Sequence, residues 1–282
     1  MDASRLQFSQ RMRAVLLLVL VLGLVLAGCS GGDSAHDERS GGGGGTSAVE
    51  PSTTAGGPLQ ILVTNDDGVG APGIDVLVNA LRDLPDVEVT VVAPAKNQSG
   101  SSDVTTPHPT YEPAKTASGV KATAVDGKPA DTVLVALDDL GLEPDVVISG
   151  DNSVQNIGPG VELSGTVGAA RTAARRGIPA VAVSQGFADQ PDYEASVALV
   201  VDWLKKNRAA LADGSAAVEV VNFNAPTCST GEVRGLVEVP VDTAGKSGGM
   251  LDAPNCTSSL AHPTSDIEAF LNGFATMSVI GN

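Results

Sequence analysis

The chain has 282 residues, of which 42% are hydrophobic and only 3% aromatic, and its formal net charge is −16 at pH 7. This length accommodates one large domain or two small ones, with a core of small aliphatic side chains. The negative charge argues against non-specific binding to a nucleic-acid polymer, because the phosphates would be repelled rather than neutralised.

Residues 1–28 are typical of an export signal. Three arginines precede the apolar run AVLLLVLVLGLVLAG, which has the length of a signal peptide rather than of a full membrane span. The ending Leu-Ala-Gly-Cys resembles a bacterial lipobox, in which cleavage occurs before the cysteine and the thiol is lipidated. We therefore predict lipidation of Cys29 and an extracytoplasmic, lipid-anchored location in the bacterial cell envelope. An uncleaved membrane anchor with an incidental cysteine is the alternative.

Residues 29–58 are rich in Gly, Ser and Thr and nearly free of large apolar side chains. Such a composition predicts a flexible tether. We expect it to hold a globular domain, residues 59–282, away from the bilayer, so that the lipid is the only contact with the membrane.

Apolar strand-like runs and amphipathic helix-like runs alternate through the first two thirds of this domain. The alternation predicts an α/β fold of the Rossmann-like type, with a mostly parallel sheet covered by helices on both faces. The last sixty residues lose this rhythm and predict a C-terminal accessory or oligomerisation lobe. The predicted strands are 60–65, 87–92, 121–125, 144–149, 178–184, 217–222 and 273–280; the predicted helices are 72–83, 129–140, 164–176 and 192–207, and residues 93–119 are a predicted loop.

Three polar clusters follow predicted strands. They read NDDG at 65–68, NQSGSS at 97–102 and SGDNSVQNIG at 149–158. Because ligands of open parallel sheets bind at the carboxyl ends of the strands, we expect the three clusters to converge in space.

The adjacent carboxylates Asp66 and Asp67 allow three interpretations. Their hard, anionic oxygens suit Mg²⁺, Mn²⁺ or Ca²⁺. The glycines at 68–73 formally fit the GxGxxG loop of dinucleotide-binding proteins, although the acidic residue expected after the second strand is missing. The pair is alternatively a simple Asp-Gly turn, with Asp66 capping the segment that follows.

The other two clusters favour the metal interpretation. Ser99 lies in a loop of small residues whose backbone N–H groups would cradle an oxyanion. Asn152 and Asn156 follow a buried strand, where asparagine also serves simple left-handed turns. Asp66, Asp67, Ser99 and Asn152 together provide two carboxylates, a hydroxyl and an amide oxygen for one hard cation.

The order and spacing of these motifs resemble the survival protein E (SurE) nucleotidase family. The resemblance runs from about residue 59 to residue 281 and omits the leader and the tether. It rests on NDDG (65–68), APG (71–73), VVAP (91–94), NQSG (97–100), GKPADTVLVAL (127–137), PDVVISGDNSVQNIG (144–158), SGTVGAA (164–170), GIPAVAVS (177–184) and SD through NGFATMSVI (265–280).

The resemblance implies a phosphomonoesterase that hydrolyses nucleoside 5′-monophosphates, and 3′-monophosphates as a second class. It implies one Mg²⁺ or Mn²⁺ per subunit, held by Asp66, Asp67, Ser99 and Asn152, and assembly into a homodimer or homotetramer. We expect the two aspartates to be catalytic, one of them as general base. The residues expected at the substrate are Asn65, Gly100, Ser101, Asn156, Ser164, Gly165 and Thr166.

Three positions depart from the family pattern. Val154 replaces the central glycine of the asparagine loop, Asp151 stands where a small or apolar residue is usual, and Leu163 replaces a common aromatic residue. They leave the proposed ligands intact, and they support an alternative in which the protein is a lipid-anchored receptor that binds phosphorylated ligands without turnover.

Cys228 and Cys256 are the cysteines left after lipidation. In an oxidising extracytoplasmic space they would form a disulfide, with two free thiols as the alternative. The histidines lie in the tether (His36) or beside prolines (His108 and His262), and we expect them to be ordinary surface residues.

Overall fold

The computed structural model of the protein describes residues 57–244 and 249–281. The predicted signal peptide, the lipidation site Cys29 and all but the last two residues of the predicted tether lie outside these ranges. Within them, no helix combines the length and the apolar character needed to cross a membrane.

The described residues form one nine-stranded sheet in the order β3-β4-β2-β1-β5-β6-β7-β9-β8. The six central strands are parallel, whereas β3 runs antiparallel to β4 and β9 runs antiparallel to β7. The mostly parallel α/β fold predicted from the alternation is confirmed. The strands are β1 (Leu59–Thr64), β2 (Val87–Pro94), β3 (Thr110–Lys115), β4 (Lys121–Asp126), β5 (Val146–Asn152), β6 (Ala180–Gln185), β7 (Val220–Ala225), β8 (Leu236–Glu238) and β9 (Ala275–Ile280).

Helices cover both faces of the sheet, because the central strands carry apolar side chains on both sides. One face packs against α1 and α4, through residues such as Leu77 and Val200. The opposite face packs against α2 and α3, through residues such as Val133 and Ala170. The α-helices are α1 (Pro72–Arg82), α2 (Pro129–Leu134), α3 (Gly165–Arg175), α4 (Tyr193–Ala212) and α5 (Asp266–Leu271).

Strand β5 is longer than its sequence predicts and includes the first residues of the polar cluster 149–158. The expected strand ended at residue 149, but β5 continues to Asn152 and is buried along its whole length. Its register with β6 shifts between Ser149 and Asn152. Such irregularities re-aim side chains and are frequent beside binding sites.

The edges of the sheet depart from the sequence-based expectation. Strand β3 lies in the predicted loop 93–119, and almost all of its residues are exposed, so no apolar alternation marks it. The short β8 and the closing β9 extend the main sheet rather than forming a sheet of their own. The predicted helix 129–140 is α-helical only to Leu134 and continues as a π-helical turn, Val135–Asp139.

The C-terminal segment is irregular but tied to the rest of the domain. Cys228 and Cys256 are joined by a disulfide, with their Cα atoms 5.8 Å apart. The buried carboxylate of Asp266, at the start of α5, accepts hydrogen bonds from Gly158 N (2.7 Å) and Asp242 N (2.8 Å). The C-terminal segment therefore supports the loop that follows β5.

Candidate functional site

The three polar clusters meet at Asp67. Its Oδ1 accepts a hydrogen bond from Asn97 Nδ2 (2.9 Å) and lies 3.5 Å from Ser99 Oγ. Its Oδ2 accepts from Ser153 N at 3.1 Å. The loops after β1, β2 and β5 are thus joined through one carboxylate, as their position at the carboxyl ends of parallel strands predicts.

Asp66 is held by the start of α3. Thr166 donates from its hydroxyl to Oδ1 (2.8 Å) and from its backbone N–H to Oδ2 (3.2 Å). Asp66 is 2% exposed. The partial positive charge at a helix N-terminus favours a carboxylate in this position.

Three residues expected at the substrate, Ser164, Gly165 and Thr166, lie at the start of α3 next to Asp66. Ser164 caps the helix by accepting from Val167 N, and Thr166 is fully buried against Asp66. A Cβ on Gly165 would lie only 2.9 Å from Asp66 Cβ and 2.7 Å from Ser101 Oγ. The structure therefore shows these three residues fixing Asp66 in place.

Asn65 shapes the loop that carries the aspartate pair. Its side chain is buried, donates to Gly68 O (3.0 Å) and accepts from Gly68 N (3.2 Å). Gly68 has a φ of 105°, and a side chain there would meet the backbone of Lys96. Asn65 was expected at the substrate, and both polar groups of its side chain are bonded within the loop.

The loop after β2 presents Ser99, Gly100 and Ser101 beside the aspartates. Asn97 Oδ1 accepts from Ser99 N (2.9 Å), which forms a tight turn. Gly100 is exposed and has a φ of 78°. Within the described residues, the buried Ser101 Oγ has no hydrogen-bond partner. An unpaired hydroxyl is costly in isolation, so this atom is a candidate donor to a ligand or to water.

Asn152, at the end of β5, and Asn156, in the loop that follows, have different surroundings. Asn152 donates from Nδ2 to Val154 O at 2.5 Å, and its Oδ1 accepts no hydrogen bond from the described residues. Asn156 is occupied by the ends of β6 and β7: it donates to Ser184 Oγ (2.8 Å) and to Asn224 Oδ1 (2.7 Å). Asn156 anchors the loop to the sheet through its Nδ2 and its backbone N–H, and its Oδ1, like that of Asn152, accepts no hydrogen bond from the described residues.

A cavity of about 440 Å³ opens in front of Asp67. This volume lies within the range of small-ligand sites. Its walls come from the loops after β1, β2 and β5 and from Tyr193 at the start of α4; the residues are Asp67, Gly68, Gly70, Ala71, Pro72, Ala95, Lys96, Asn97, Ser153 and Tyr193.

Two ionisable groups at the cavity have raised pKa values. Burial, with a smaller contribution from the charge of Asp67, raises the pKa of Asp66 to about 6 against the opposing hydrogen bonds of Thr166. Burial and the charges of Asp67 and Asp151 raise the pKa of Tyr193 to about 12. Asp67 and Lys96 place one negative and one positive charge in the cavity wall, and a bound cation would favour an anionic substrate there.

Asp151 adds a buried carboxyl group next to Asn152. Burial raises its pKa well above the usual value, although Ser196 of α4 donates a hydrogen bond to Oδ2. Its other oxygen, Oδ1, has no partner among the described residues. Asp151, which departs from the family pattern, thus makes a buried contact with α4.

The donor set fits a hard divalent cation. The structure describes no group of three or more His, Cys, Asp or Glu side chains suited to a metal, so the donors would be mixed. Asp66 and Asp67 retain lone pairs beyond their hydrogen bonds, and Asn152 Oδ1 is free. Carboxylate, hydroxyl and amide oxygens are the ligands that Mg²⁺ and Mn²⁺ prefer.

Several contributors were missed by the sequence analysis. Asn97 lies inside the NQSG motif but is not among the predicted site residues. Ser153 acts through its backbone N–H, and Tyr193 reaches the cavity from a distant helix. Backbone donors and long-range contacts leave no pattern in the local sequence, whereas Asn97 belongs to a recognisable motif.

Comparison with known proteins agrees with the motifs. A sequence model of the family described as Survival protein SurE matches residues 61–245. The "5′-nucleotidase SurE 1" of Burkholderia lata is 40% identical over 182 residues, covering 63% of this chain and 68% of the relative. The "5′-nucleotidase SurE" of Brevibacillus brevis is 39% identical over 187 residues, covering 64% and 71%.

A solved structure supports the same relationship. The SurE protein of Aquifex aeolicus aligns with a TM-score of 0.62 at 27% identity, covering 78% of this chain and 92% of that one. The matched region contains the loops that meet at Asp67, and the motifs that form those loops are the ones that resemble the family. The chain belongs to the SurE family.

Proposed function

We propose that the protein is a divalent-metal-dependent phosphomonoesterase that hydrolyses nucleoside 5′-monophosphates to nucleoside and phosphate, with 3′-monophosphates as a second substrate class. The observation that carries the proposal is the convergence of three strand-end loops on Asp67, in front of a cavity of about 440 Å³. The names of the relatives, 5′-nucleotidases, supply the substrate class.

Asp66, Asp67, Ser99 and Asn152 would hold one Mg²⁺ or Mn²⁺ per subunit. Such an ion supplies positive charge for the phosphate oxygens and lowers the pKa of water at the site. The donor chemistry of the four side chains supports this assignment, as does the charge of Asp67, which adds to the effect of burial on the raised pKa of Asp66 and of Tyr193.

Side chains and backbone groups of the protein would accept the proton of the attacking water and bind the phosphate oxygens. Asp67 is the less buried aspartate and lines the cavity, so it is the better placed of the two to accept a proton from the attacking water. Asp66, fixed by Thr166, would act as a stationary charge. The backbone N–H groups of Gly100 and Ser101 and the unpaired Ser101 Oγ would donate to phosphate oxygens.

The test uses the domain 59–282 and measures phosphate release from nucleoside 5′- and 3′-monophosphates with Mg²⁺, with Mn²⁺ and after EDTA dialysis. We expect activity to require the cation. Asp67→Asn should abolish turnover while thermal unfolding stays similar or rises slightly, since one of two crowded carboxylates is neutralised. Asp202→Asn, on the exposed surface of α4, is the matched control and should keep full activity.

Equal activity before and after EDTA dialysis would end the metal assignment. Metal-dependent nucleotide binding by calorimetry, without detectable phosphate release, would instead support a receptor that captures phosphorylated ligands.

We further propose that the protein is lipidated at Cys29, anchored in the bacterial cell envelope on the extracytoplasmic side, and assembled as a homodimer or homotetramer. The sequence of the leader supports the anchor, and the tether would leave the domains free to associate. Metabolic labelling with a fatty-acid analogue should mark the wild type and spare Cys29→Ser. Light scattering of the domain 59–282 would measure its oligomeric state.

A further inference from the structure

We propose that Phe187 is the residue against which the base of the nucleotide stacks. This inference rests on the proposed function and adds a specificity determinant to it. It starts from a feature that the phosphate chemistry does not use: an exposed aromatic ring at the carboxyl edge of the sheet, beside the loop that carries Asn152.

Phe187 lies just beyond the end of β6, the strand that pairs with β5. The register places Ser184 of β6 opposite Asn152 of β5, so Phe187 follows that pair by three residues in the direction of the ligand-binding edge. The proposed phosphate site lies between the ends of β1, β2 and β5, and β5 is the strand of this group that borders β6. A group attached to the phosphate and extending along the sheet edge toward β6 would meet Phe187.

The backbone of Phe187 is bonded to the loop that reaches Asp67. Phe187 N donates to Gln155 Oε1 at 2.8 Å, and Gln155 lies two residues after Ser153, whose N–H binds Asp67. Gln155 is itself buried and donates from Nε2 to Met250 O at 2.5 Å. The position of Phe187 is therefore set by the same loop that forms one side of the site.

The preceding bend is also fixed. Gly186 N donates to Ala225 O (2.7 Å), and Gly186 O accepts from Thr227 Oγ1 (2.7 Å). A Cβ on Gly186 would lie 2.8 Å from Thr227 N, so this turn is closely packed. A ring held on a rigid backbone loses little conformational freedom when it contacts a ligand.

The exposure of Phe187 contrasts with that of the other described phenylalanines. Phe223, Phe270 and Phe274 are at most 8% exposed, whereas Phe187 is 60% exposed. A solitary exposed apolar residue is ordinary on a protein surface. Here the exposure coincides with a fixed backbone at the ligand-binding edge, and this combination points to a ligand with a flat apolar face. Nucleobases have such a face, and stacking on an aromatic ring tolerates every base.

The experiment compares Phe187→Ala with the wild type in the domain 59–282, using adenosine 5′-monophosphate and ribose 5-phosphate, which lacks the base. We expect Phe187→Ala to raise KM for the nucleotide about 5-fold or more, with kcat nearly unchanged and ribose 5-phosphate unaffected. Phe187→Trp should restore the low KM, which a purely structural role would not predict.

Two variants serve as comparisons. Tyr111→Ala removes a second exposed aromatic side chain of the described residues, on the edge strand β3, and should change the KM for neither substrate. Leu163→Ala alters an exposed apolar residue on the other flank of the site. A loss for the nucleotide confined to Leu163→Ala would place the base there and overturn the proposal, as would equal losses for both substrates in Phe187→Ala.

Calorimetric affinities for the same two ligands, measured with Mg²⁺, separate this inference from the proposed function. If neither ligand releases phosphate, the hydrolase assignment fails, and the affinity ratio still tests the base contact. An unchanged affinity of Phe187→Ala for adenosine 5′-monophosphate overturns it.

Discussion

Gly165 lets the first turn of α3 lie directly against the aspartate pair. A Cβ at this position would come within 3.0 Å of Ser101 Oγ and Asp66 Cβ, closer than such atoms normally approach. Because Thr166 N and Oγ1 hold Asp66, any displacement of this turn moves the carboxylate with it.

Gly165→Ala should therefore reduce phosphate release about 10-fold or more, since small misplacements of a catalytic group have large effects on rate. Its free energy of unfolding should fall by about 1–2 kcal/mol, because alanine's better helix propensity, worth up to about 1 kcal/mol, offsets only part of the cost of overpacking. Gly160→Ala, whose Cβ would make only ordinary contacts at 3.6 Å with Met250, is the control. Steady-state kinetics and thermal unfolding of both variants check this, and unaltered kinetics in Gly165→Ala would contradict it.

At the level of single residues, the sequence predicts which polar side chains lie near the site better than it predicts their hydrogen-bond partners. The two aspartates, Ser99 and Asn152 were predicted as ligands because carboxylate, hydroxyl and amide oxygens at strand ends form a recognisable pattern, and the structure places Ser99 Oγ 3.5 Å from Asp67 Oδ1. Thr166 was predicted at the substrate, but its partner is Asp66, a hundred residues away in the chain. A spacing pattern cannot show which of two nearby anions a hydroxyl will bind.

Among the elements, the edge hairpin β3–β4 is hydrogen-bonded to α1 chiefly through the carboxylate of Asp75, with Asn79 as a second partner. Asp75, in the first turn of α1, accepts from Ser118 N (2.9 Å) and Ser118 Oγ (2.7 Å) in the turn between the two strands. Burial alone would raise the pKa of Asp75, but the hydrogen bonds from Thr116 and Ser118 outweigh it, and the pKa lies below 3.8.

Asp75→Asn should lower the free energy of unfolding by about 1 kcal/mol at pH 7, the usual worth of a hydrogen bond. Since the folded pKa is depressed, the stabilisation by Asp75 is complete above the unfolded value and disappears as the pH falls through the folded pKa. Urea unfolding of wild type and variant should therefore converge as the pH falls below 3.8. Asp202→Asn, at an exposed ion pair with Lys205, should show no such dependence; a difference that stays constant with pH would argue against the role of Asp75.

The elements of the sheet could be predicted where burial imposes a pattern. The strands β1, β2, β5, β6 and β7 are apolar because helices cover both faces. The edge strand β3 is exposed and β8 has three residues, so neither carries a run of apolar side chains. Strand β5 was predicted too short because its last residues are polar, and they are buried by the loops of the site rather than by helices.

The whole molecule is strongly acidic, and the site concentrates this charge instead of avoiding it. Asp66, Asp67 and Asp151 lie close enough that Asp67 contributes to the raised pKa of each of the other two. Without a cation, folding must confine these carboxyl groups together and remove two of them from water. The stability of the fold should therefore depend on pH and, under the proposed function, on metal binding.

The sign of this coupling follows from the pKa of Asp66, which is raised from 3.8 to about 6. A raised folded pKa means that the contribution of Asp66 to stability is present below 3.8 and is lost as the pH rises through 6, by about 3 kcal/mol in total for a shift of about two units. A bound cation would keep Asp66 ionised and so cancel most of this loss. We expect Mg²⁺ or Mn²⁺ to raise the unfolding temperature more at pH 7 than at pH 4.5.

Asp66→Asn isolates the contribution of Asp66, because the buried Asp151 titrates in the same direction in both proteins. In EDTA, the variant should lose less stability than the wild type between pH 4.5 and pH 7, and the cation should stabilise it little. Thermal unfolding across this range, with and without the cation, measures both effects. If the wild type and Asp66→Asn respond identically to pH and to the cation, then the repulsion that the cation relieves lies elsewhere in this acidic protein, and Asp66 is not one of its ligands.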